Sequence, residues 1–141
     1  MANAMAILAE MPPAAVVQVR VLEDAALKLP QLYLEPEHAL HAGMYIRTIM
    51  VPAGVMITGA LIKCPTVLIF NGDATVYTSN GPEQWTGYRV ILAPAQRKQA
   101  FLAHEDTWLT AMFATKATTV EEAENEFTDE PDRLASRRGV S

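Results

Sequence analysis

The stretch that decides the fold reads Pro52-Ala53-Gly54-Val55-Met56-Ile57-Thr58-Gly59-Ala60-Leu61-Ile62-Lys63-Cys64-Pro65-Thr66-Val67-Leu68-Ile69-Phe70-Asn71-Gly72-Asp73. A Pro-Ala-Gly turn opens it, and Asn71-Gly72, a pair typical of hairpin turns, closes it. The two apolar runs between these turns, residues 55–62 and 66–70, are short and rich in β-branched side chains. They therefore predict two strands. From Thr58 to Val67 there is no His, Asp or Glu.

Short β-prone segments recur on both sides of this stretch. Further predicted strands cover residues 45–51, 74–78, 84–86, 88–92, 98–103 and 107–113. The sequence Ser79-Asn80-Gly81-Pro82 predicts a turn between two of them, and Gly59 predicts a bulge or a close backbone approach. About seven or eight short strands at close intervals predict an antiparallel sandwich or barrel.

The N-terminal arm, residues 1–40, carries one further strand signal. Val17, Val19 and Val21 alternate with polar residues, which predicts a half-buried strand over residues 16–22. Residues 23–29 can form a short helical turn before Pro30, and residues 30–41 are expected to be an extended connector. The valine strand is the best candidate for pairing with the sheet edge of another chain.

The C-terminal segment, residues 117–141, predicts a short acidic helix followed by a polar tail. Thr119 and Glu122 have the spacing of a capping box, so we expect a helix near residues 119–127. Val120, Ala123 and Phe127 fall on one face of it, which can dock on the domain or on a neighbour.

Composition excludes several classes of protein. Half of the 141 residues are apolar and 19% are charged, which is typical of one globular domain with a core. The net charge is −5, the centre is near neutral and both ends are acidic, so nucleic-acid binding is not expected. No apolar run is long enough to span a bilayer, and the N-terminus lacks a basic signal-peptide region. A single cysteine, Cys64, allows no internal disulfide framework and agrees with assembly in a reducing cytoplasm.

The span from about His41 to Phe113 resembles small cupin-like proteins encoded by tailed bacteriophages. Five segments carry the resemblance: Gly43-Met44-Tyr45-Ile46-Arg47-Thr48-Ile49, Val51-Pro52-Ala53-Gly54, Ile57-Thr58-Gly59-Ala60, Gly72-Asp73-Ala74-Thr75-Val76 and Ala103-His104-Glu105-Asp106-Thr107. The resemblance implies an all-β, cupin-like antiparallel jelly roll over residues 41–116, between the N-terminal arm and the C-terminal helix. One branch of the group resembles the cement, or decoration, proteins that clamp capsid subunits together.

The same span departs from the metal-binding cupins. Their first motif places ligands a few residues after the Pro-x-Gly turn, where this chain has Ala60, Leu61 and Ile62. Their second motif offers a proline, a glycine and then a histidine, whereas this chain has Gln96 at the glycine position and Gln99 near the histidine position. We therefore expect no metal, no cofactor and no catalytic residue in this frame.

The remaining candidate ligands are scattered. His104-Glu105-Asp106 is expected to be a polar loop between two strands, because adjacent strand residues point to opposite faces. His38 and His41 are expected to be surface residues, and Cys64 a structural thiol whose pKa Lys63 could lower. The aromatic residues Trp85, Trp108, Tyr77 and Tyr88 are expected to lie in the core or at the rim of the sheets, and some of them are candidate interface anchors.

These observations favour a structural role over catalysis. The leading hypothesis is a capsid cement protein, located on the exterior of the virion after assembly in the host cytoplasm. Its expected partners are the major capsid protein and further copies of itself, with no nucleic acid, membrane or small-molecule substrate. Val17, Val19, Val21 and Phe127 are the candidate interface residues. The alternatives are a metal-dependent cupin enzyme that uses His104, Glu105 and His41, and a small-molecule-binding barrel, although so small a barrel is expected to be filled by side chains.

Overall fold

A computed structural model describes residues 4–134 of the chain, without the side chain of Arg133. Most of the ordered elements are strands, which confirms the predicted all-β class. In chain order the elements are β1 (Met5–Ile7), α1 (Pro13–Ala26), β2 (Glu37–His41), β3 (Met44–Val51), β4 (Met56–Thr58), β5 (Thr66–Thr78), β6 (Gly81–Ala93), β7 (Ala100–Ala103), β8 (Thr107–Ala114), α2 (Val120–Phe127) and a 3-10 turn, Pro131–Arg133.

The strands form one sheet that folds over itself around β5. Along the main path the strand order is β1-β6-β5-β8-β3-β2, and β7 joins β5 to β4. Residues 67–71 of β5 pair with β8, whereas residues 74–76 pair with β7. β5 therefore changes its neighbour at Gly72, and the two halves of the strand contribute to opposite walls of a barrel.

Side chains alternate between the inside and the outside of this barrel, as the pleat of a strand requires. The inward residues of β5 and the facing strands make one buried core, which includes Val51, Leu68, Phe70, Ala74, Val76, Trp85, Ile91, Phe101 and Leu109. Phe70 and Trp85 meet edge to face, with ring centroids 5.5 Å apart. A second cluster, with Tyr45, Phe113 and Phe127, joins α2 to the barrel.

The predicted strand over residues 16–22 is wrong, because these residues lie in helix α1. Pro13 occupies the first turn, where its missing N–H costs nothing. The apolar residues also satisfy a helical period: Val19 is 2% exposed and packs with Val16 and Leu22 under the helix. Packing on the barrel thus outweighs the weak helix propensity of valine.

The predicted hairpin at Asn71-Gly72 is also wrong, because β5 runs through both residues. Gly72 pairs with Gly87 of β6, and its α-carbon lies against Thr107, the first residue of β8. A Cβ atom at position 72 would stand 2.7 Å from the Thr107 Cα. The glycine therefore serves a close approach between strands, and the chain reverses at Ser79-Asn80, within the predicted 79–82 turn.

Other local predictions are confirmed or shortened. β3 and β8 match their predicted ranges to within one residue at each end, and the short predicted strands at 66–70, 74–78, 84–86 and 88–92 are parts of two long strands. The predicted strand 55–62 contracts to β4, followed by two isolated bridges from Ile62, one to Arg97 and one to Thr128. The connector contains the unpredicted strand β2, and the arm contains the unpredicted β1.

The capped C-terminal helix is confirmed as α2. The Thr119 hydroxyl accepts a hydrogen bond from the Glu122 N–H at 3.1 Å. The Glu122 carboxylate accepts from the Thr118 N–H, one residue before the expected partner. The predicted tail continues beyond residue 134, outside the described residues.

Candidate functional site

The interior of the barrel contains a cavity of about 400 Å³. Apolar side chains from several strands line it, among them Ile49, Ile57, Leu68, Phe101 and Leu109. Helix α1 and the connector after it, including Leu34, close the cavity on one side. The expectation of a barrel filled by its own side chains is therefore wrong, and the volume lies in the range of small-molecule sites.

Arg97 connects the two segments that correspond to the cupin motifs, residues 52–73 and residues 94–99. Its backbone pairs with Ile62, and its guanidinium donates hydrogen bonds to the Pro94 carbonyl at 2.8 Å and to the Thr66 hydroxyl. The residue is 3% exposed and lines the cavity. Burial lowers the pKa of Arg97 to about 10, so the guanidinium remains charged at neutral pH.

Two further donors line the cavity without a hydrogen-bond acceptor among the described residues. Gln99 is 6% exposed, and its Nε2 makes no hydrogen bond. Nη1 of Arg47 is also buried without one, although Glu124 Oε2 lies 3.7 Å away and forms an ion pair with it. Arg47 also lies over the Phe127 ring, 5.7 Å from its centroid. A buried donor without an acceptor costs about 1–3 kcal/mol, which a ligand with acceptor atoms would recover.

A buried ion pair fastens α1 to the barrel beside this cavity. Lys98 Nζ lies 3.0 Å from Glu23 Oε2 and donates a second hydrogen bond to the Gly59 carbonyl at 2.7 Å. The Thr58 hydroxyl donates to the same carboxylate at 3.4 Å. Both members of the pair are almost fully buried, so Lys98 and Glu23 neutralise each other and leave the charge of Arg97 uncompensated by them.

The opposite, outer face of the sheet is apolar as well. Three rows of outward residues run across neighbouring strands: Met50, Trp108, Asn71 and Tyr88; Thr48, Thr110, Ile69, Val90 and Met5; and Ile46, Met112, Val67, Leu92 and Ile7. None of these side chains is charged, and none is buried. We call these three rows the outer face. Its most exposed members include Ile7 at 82%, Tyr88 at 55% and Trp108 at 50%.

The fold was compared with known proteins. No protein-family model matches the sequence, and no curated protein matches it. Ectoine synthase from P. lautus matches in structure with a TM-score of 0.51 and 14% identity, over 70% of this chain and 76% of that one. A cupin-2 domain protein from Rhodospirillum rubrum matches with a TM-score of 0.50 and 11% identity, over 64% and 68% of the two chains. The fold is a cupin jelly roll.

The cupin frame accounts for the positions of Arg97 and Gln96. Gln96, at the position where the second motif has a glycine, has a φ of 59°, in the left-handed region that glycine favours. The turn of the motif is thus kept with a glutamine in it. At Gln99, near the histidine position of the motif, and at Arg97, two residues before it, the structure places hydrogen-bond donors in the cavity.

The structure does not bring the candidate metal ligands together. His104 lies in the predicted loop, between β7 and β8, and its Nε2 is 2.7 Å from the Thr75 hydroxyl. Asp106 accepts a hydrogen bond from the Ala53 N–H, and His41 lies on β2 opposite Met44. Among residues 4–134, no three His, Cys, Asp or Glu side chains form a group that could hold a metal ion.

His38, predicted to lie at the surface, and Cys64, predicted to be a structural thiol, are both partly buried. His38 Nδ1 lies 2.7 Å from the Tyr45 hydroxyl, and burial together with the charge of Arg47 lowers the pKa of this histidine. Burial raises the pKa of the Cys64 thiol, which outweighs the opposite effect of Arg97 and Lys63. The neighbouring lysine therefore does not activate Cys64 as suggested by its sequence context.

The four predicted interface residues divide into two pairs. Val17 and Val21 are exposed on α1, at 57% and 63%, and remain candidates for contact with a partner. Val19 and Phe127 are buried within the chain itself, at 2% and 4% exposure. Pairing of a valine strand with another sheet edge is excluded for this structure, because the segment is helical.

Sequence reasoning missed Arg47, Arg97, Gln99 and the outer face. A signal for Arg47 was present, since Tyr45, Arg47, Ile49 and Val51 share one face of β3, and the others are apolar. The outer face could not be read from single strands, because its continuity depends on the register of five of them.

Proposed function

We propose that this chain is a structural assembly protein that associates with itself through the outer face and stabilises a larger shell. The observation that carries the proposal is the uncharged, apolar outer face. Its rows cross five strands at about 4.8 Å spacing and extend over about 20 Å, which gives roughly 500 Å². This area is similar to that of the largest apolar patch on a typical monomer, and such a patch is often functional.

The composition of the outer face fits a second copy of the same chain. The three rows carry no charged side chain, and the second row meets a charge only at its end, where Glu37 of β2 lies opposite Thr48. A twofold axis would therefore place largely uncharged rows against each other. Trp108 and Tyr88 flank Asn71 across neighbouring strands, and exposed aromatic residues of this kind commonly dominate binding energy. Two copies would bury about 1,000 Å², near the lower limit of a specific interface.

The shell we propose is the head of a tailed bacteriophage, with the major capsid protein as the second partner. The support for this step is the resemblance of residues 41–113 to phage cupin-like proteins, together with the exposed Val17 and Val21 on α1. The acidic ends of the chain would suit basic patches on a shell. Many weak contacts on one head add up by avidity, so each contact can be modest. The protein would then be located on the exterior of the virion.

Co-sedimentation tests the shell-binding step. Heads assembled from the major capsid protein of the same genome would be mixed with the purified chain and pelleted. We expect saturable binding in a fixed ratio to the capsid subunits, and weaker binding of a Val17→Lys, Val21→Lys variant. A chain that stays in the supernatant with every form of the head would reject the cement role.

Metal analysis separates this proposal from a metal-dependent cupin enzyme. Stoichiometric Zn, Fe, Mn or Ni that remains with the purified protein after dialysis would favour the enzyme. Binding of a small molecule is favoured by a separate observation, the cavity.

A further inference from the structure

We propose that the cupin cavity binds an organic monocarboxylate with an apolar tail, and that Arg97 and Gln99 hold its carboxylate. This site is independent of the outer face and of the assembly role proposed above. The proposal rests on the shape of the cavity, the charges around it and two donors without acceptors.

The charges around the cavity favour an anion. Arg47, Arg97 and Lys98 supply three positive charges, while Glu124 and Glu23 pair with the first and the last of them. No carboxylate forms an ion pair with Arg97 in the part of the chain that the structure describes. The balance at the cavity is therefore one positive charge, buried at Arg97, and a single negative charge would neutralise it.

The donors around the cavity favour a group with several acceptor atoms. Gln99 Nε2 and Arg47 Nη1 lack hydrogen-bond acceptors. Arg97 donates one hydrogen bond to the Pro94 carbonyl and one to the Thr66 hydroxyl. A guanidinium has five N–H donors, so Arg97 retains capacity for a carboxylate. Planar carboxylates match the donor fork of arginine, and their hydrogen bonds with it are stronger than neutral ones. Two guanidinium groups on the wall also make the cavity unfavourable for a metal cation.

The rest of the lining favours an apolar tail. Ile49, Ile57, Leu68, Phe101 and Leu109 face the cavity, and these side chains offer no hydrogen bonds. A volume of about 400 Å³ exceeds what a bare inorganic anion would fill. An aliphatic chain would remove this apolar surface from water, which favours binding.

The test uses three probes of equal length that differ only in the head group: octanoate, 1-octanol and octylamine. Titration calorimetry and thermal unfolding would be run on the full chain at neutral pH. We expect octanoate to bind at least about tenfold more tightly than octanol and to raise the Tm, with no binding of octylamine. Equal binding of octanoate and octanol, or no binding of octanoate, would overturn the proposal.

Two variants locate the carboxylate. Gln99→Leu removes the unsatisfied donor at similar volume, so we expect the ligand-free Tm to rise and octanoate affinity to fall about tenfold, while octanol affinity is kept. Arg97→Met should abolish the preference for octanoate over octanol. If neither variant weakens octanoate binding, Arg97 and Gln99 do not hold the carboxylate. If Arg97→Met does not fold, the affinity of Gln99→Leu alone tests the assignment. Val21→Lys, on the exposed side of α1, is the control with unchanged affinity.

Discussion

At the scale of single residues, Gly72 determines where the barrel folds over. β5 pairs with β8 before this residue and with β7 after it, and the Cα, Cβ and Oγ1 atoms of Thr107 fill the space where a Cβ would lie. The sequence signal, Asn-Gly, is typical of a hairpin, and nothing local separates a turn glycine from one that permits close approach. Only the pairing with β6 on one side and β8 on the other distinguishes the two uses.

We predict that Gly72→Ala destabilises the protein by about 2–4 kcal/mol, because the Cβ would overlap the Cα of Thr107 as well as its buried side chain, and the strand pairing holds that Cα in place. Urea unfolding would measure the change in the free energy of unfolding. Gly59→Ala is the matched control, since its Cβ would meet only the Gln99 carbonyl at an ordinary 3.7 Å. A loss at Gly72 no larger than at Gly59 would contradict the close approach.

Gln96 lies at a position where the cupin motif has a glycine, so its backbone conformation can be tested by substitution. The family frame places a glycine there, and the structure gives the glutamine a left-handed φ of 59°. A left-handed non-glycine residue costs about 1–2 kcal/mol, so Gln96→Gly should stabilise the protein by about 1 kcal/mol. The midpoint of urea unfolding is the measurement. Ala95→Gly, at the neighbouring position, should destabilise; a loss of stability in both variants would show that residue 96 is not strained.

At the scale of elements, local sequence signals predict some helices and strands correctly, whereas the others depend on pairing with strands distant in sequence. β3, β8, α2 and the 79–82 turn follow from alternation, capping and turn chemistry within each segment. β1 and β2 are edge strands of three and five residues, whose existence depends on partners far along the chain. The valines of α1 predict a strand because they satisfy a period of two and a helical period at once, and only packing on the barrel selects the helix.

An ion pair joins helix α1 to the C-terminal segment: Arg20 Nη2 lies 3.0 Å from Glu130 Oε1. The hydrogen bond from Arg20 lowers the pKa of the Glu130 carboxyl below its usual range. The folded state therefore holds this proton less tightly than the unfolded state. The contribution of the pair is fully present well above the unfolded pKa and is lost as the pH falls through the lower folded pKa.

We therefore expect Glu130→Gln to lose about 1 kcal/mol or less of stability at neutral pH, because both side chains are partly exposed. The difference from the wild type should vanish in acid, below the folded pKa of Glu130. Chemical unfolding at a series of pH values measures it. Asp129→Asn removes the more exposed pair with Lys63 and should change stability less. A Glu130→Gln penalty that persists unchanged in strong acid would exclude the linkage.

At the scale of the whole molecule, the cupin jelly roll presents two apolar surfaces, one inside the barrel and one on the outer face. The sequence indicated the fold, because the Pro52–Asp73 frame and the alternating strands agree with each other. It did not indicate the cavity or the outer face, since each is assembled from several strands and neither has a motif. The two functions that we propose, self-association and carboxylate binding, are therefore placed on these two surfaces.

Self-association through the outer face is the central claim, and substitution of Trp108 tests it. Trp108→Lys introduces a charge at the middle of an exposed row, where a second copy would bury it without a partner. Trp108 is 50% exposed in the single chain, so the substitution should leave folding intact. Leu29→Lys, at a 64% exposed position in the connector, is the control.

Sedimentation velocity over a hundredfold range of protein concentration is the decisive measurement. We predict a dimer or a larger closed oligomer for the wild type and for Leu29→Lys, and a monomer of unchanged thermal stability for Trp108→Lys. A wild-type protein that remains monomeric at every concentration, or a Trp108→Lys variant that associates as strongly as the wild type, would contradict assembly through the outer face.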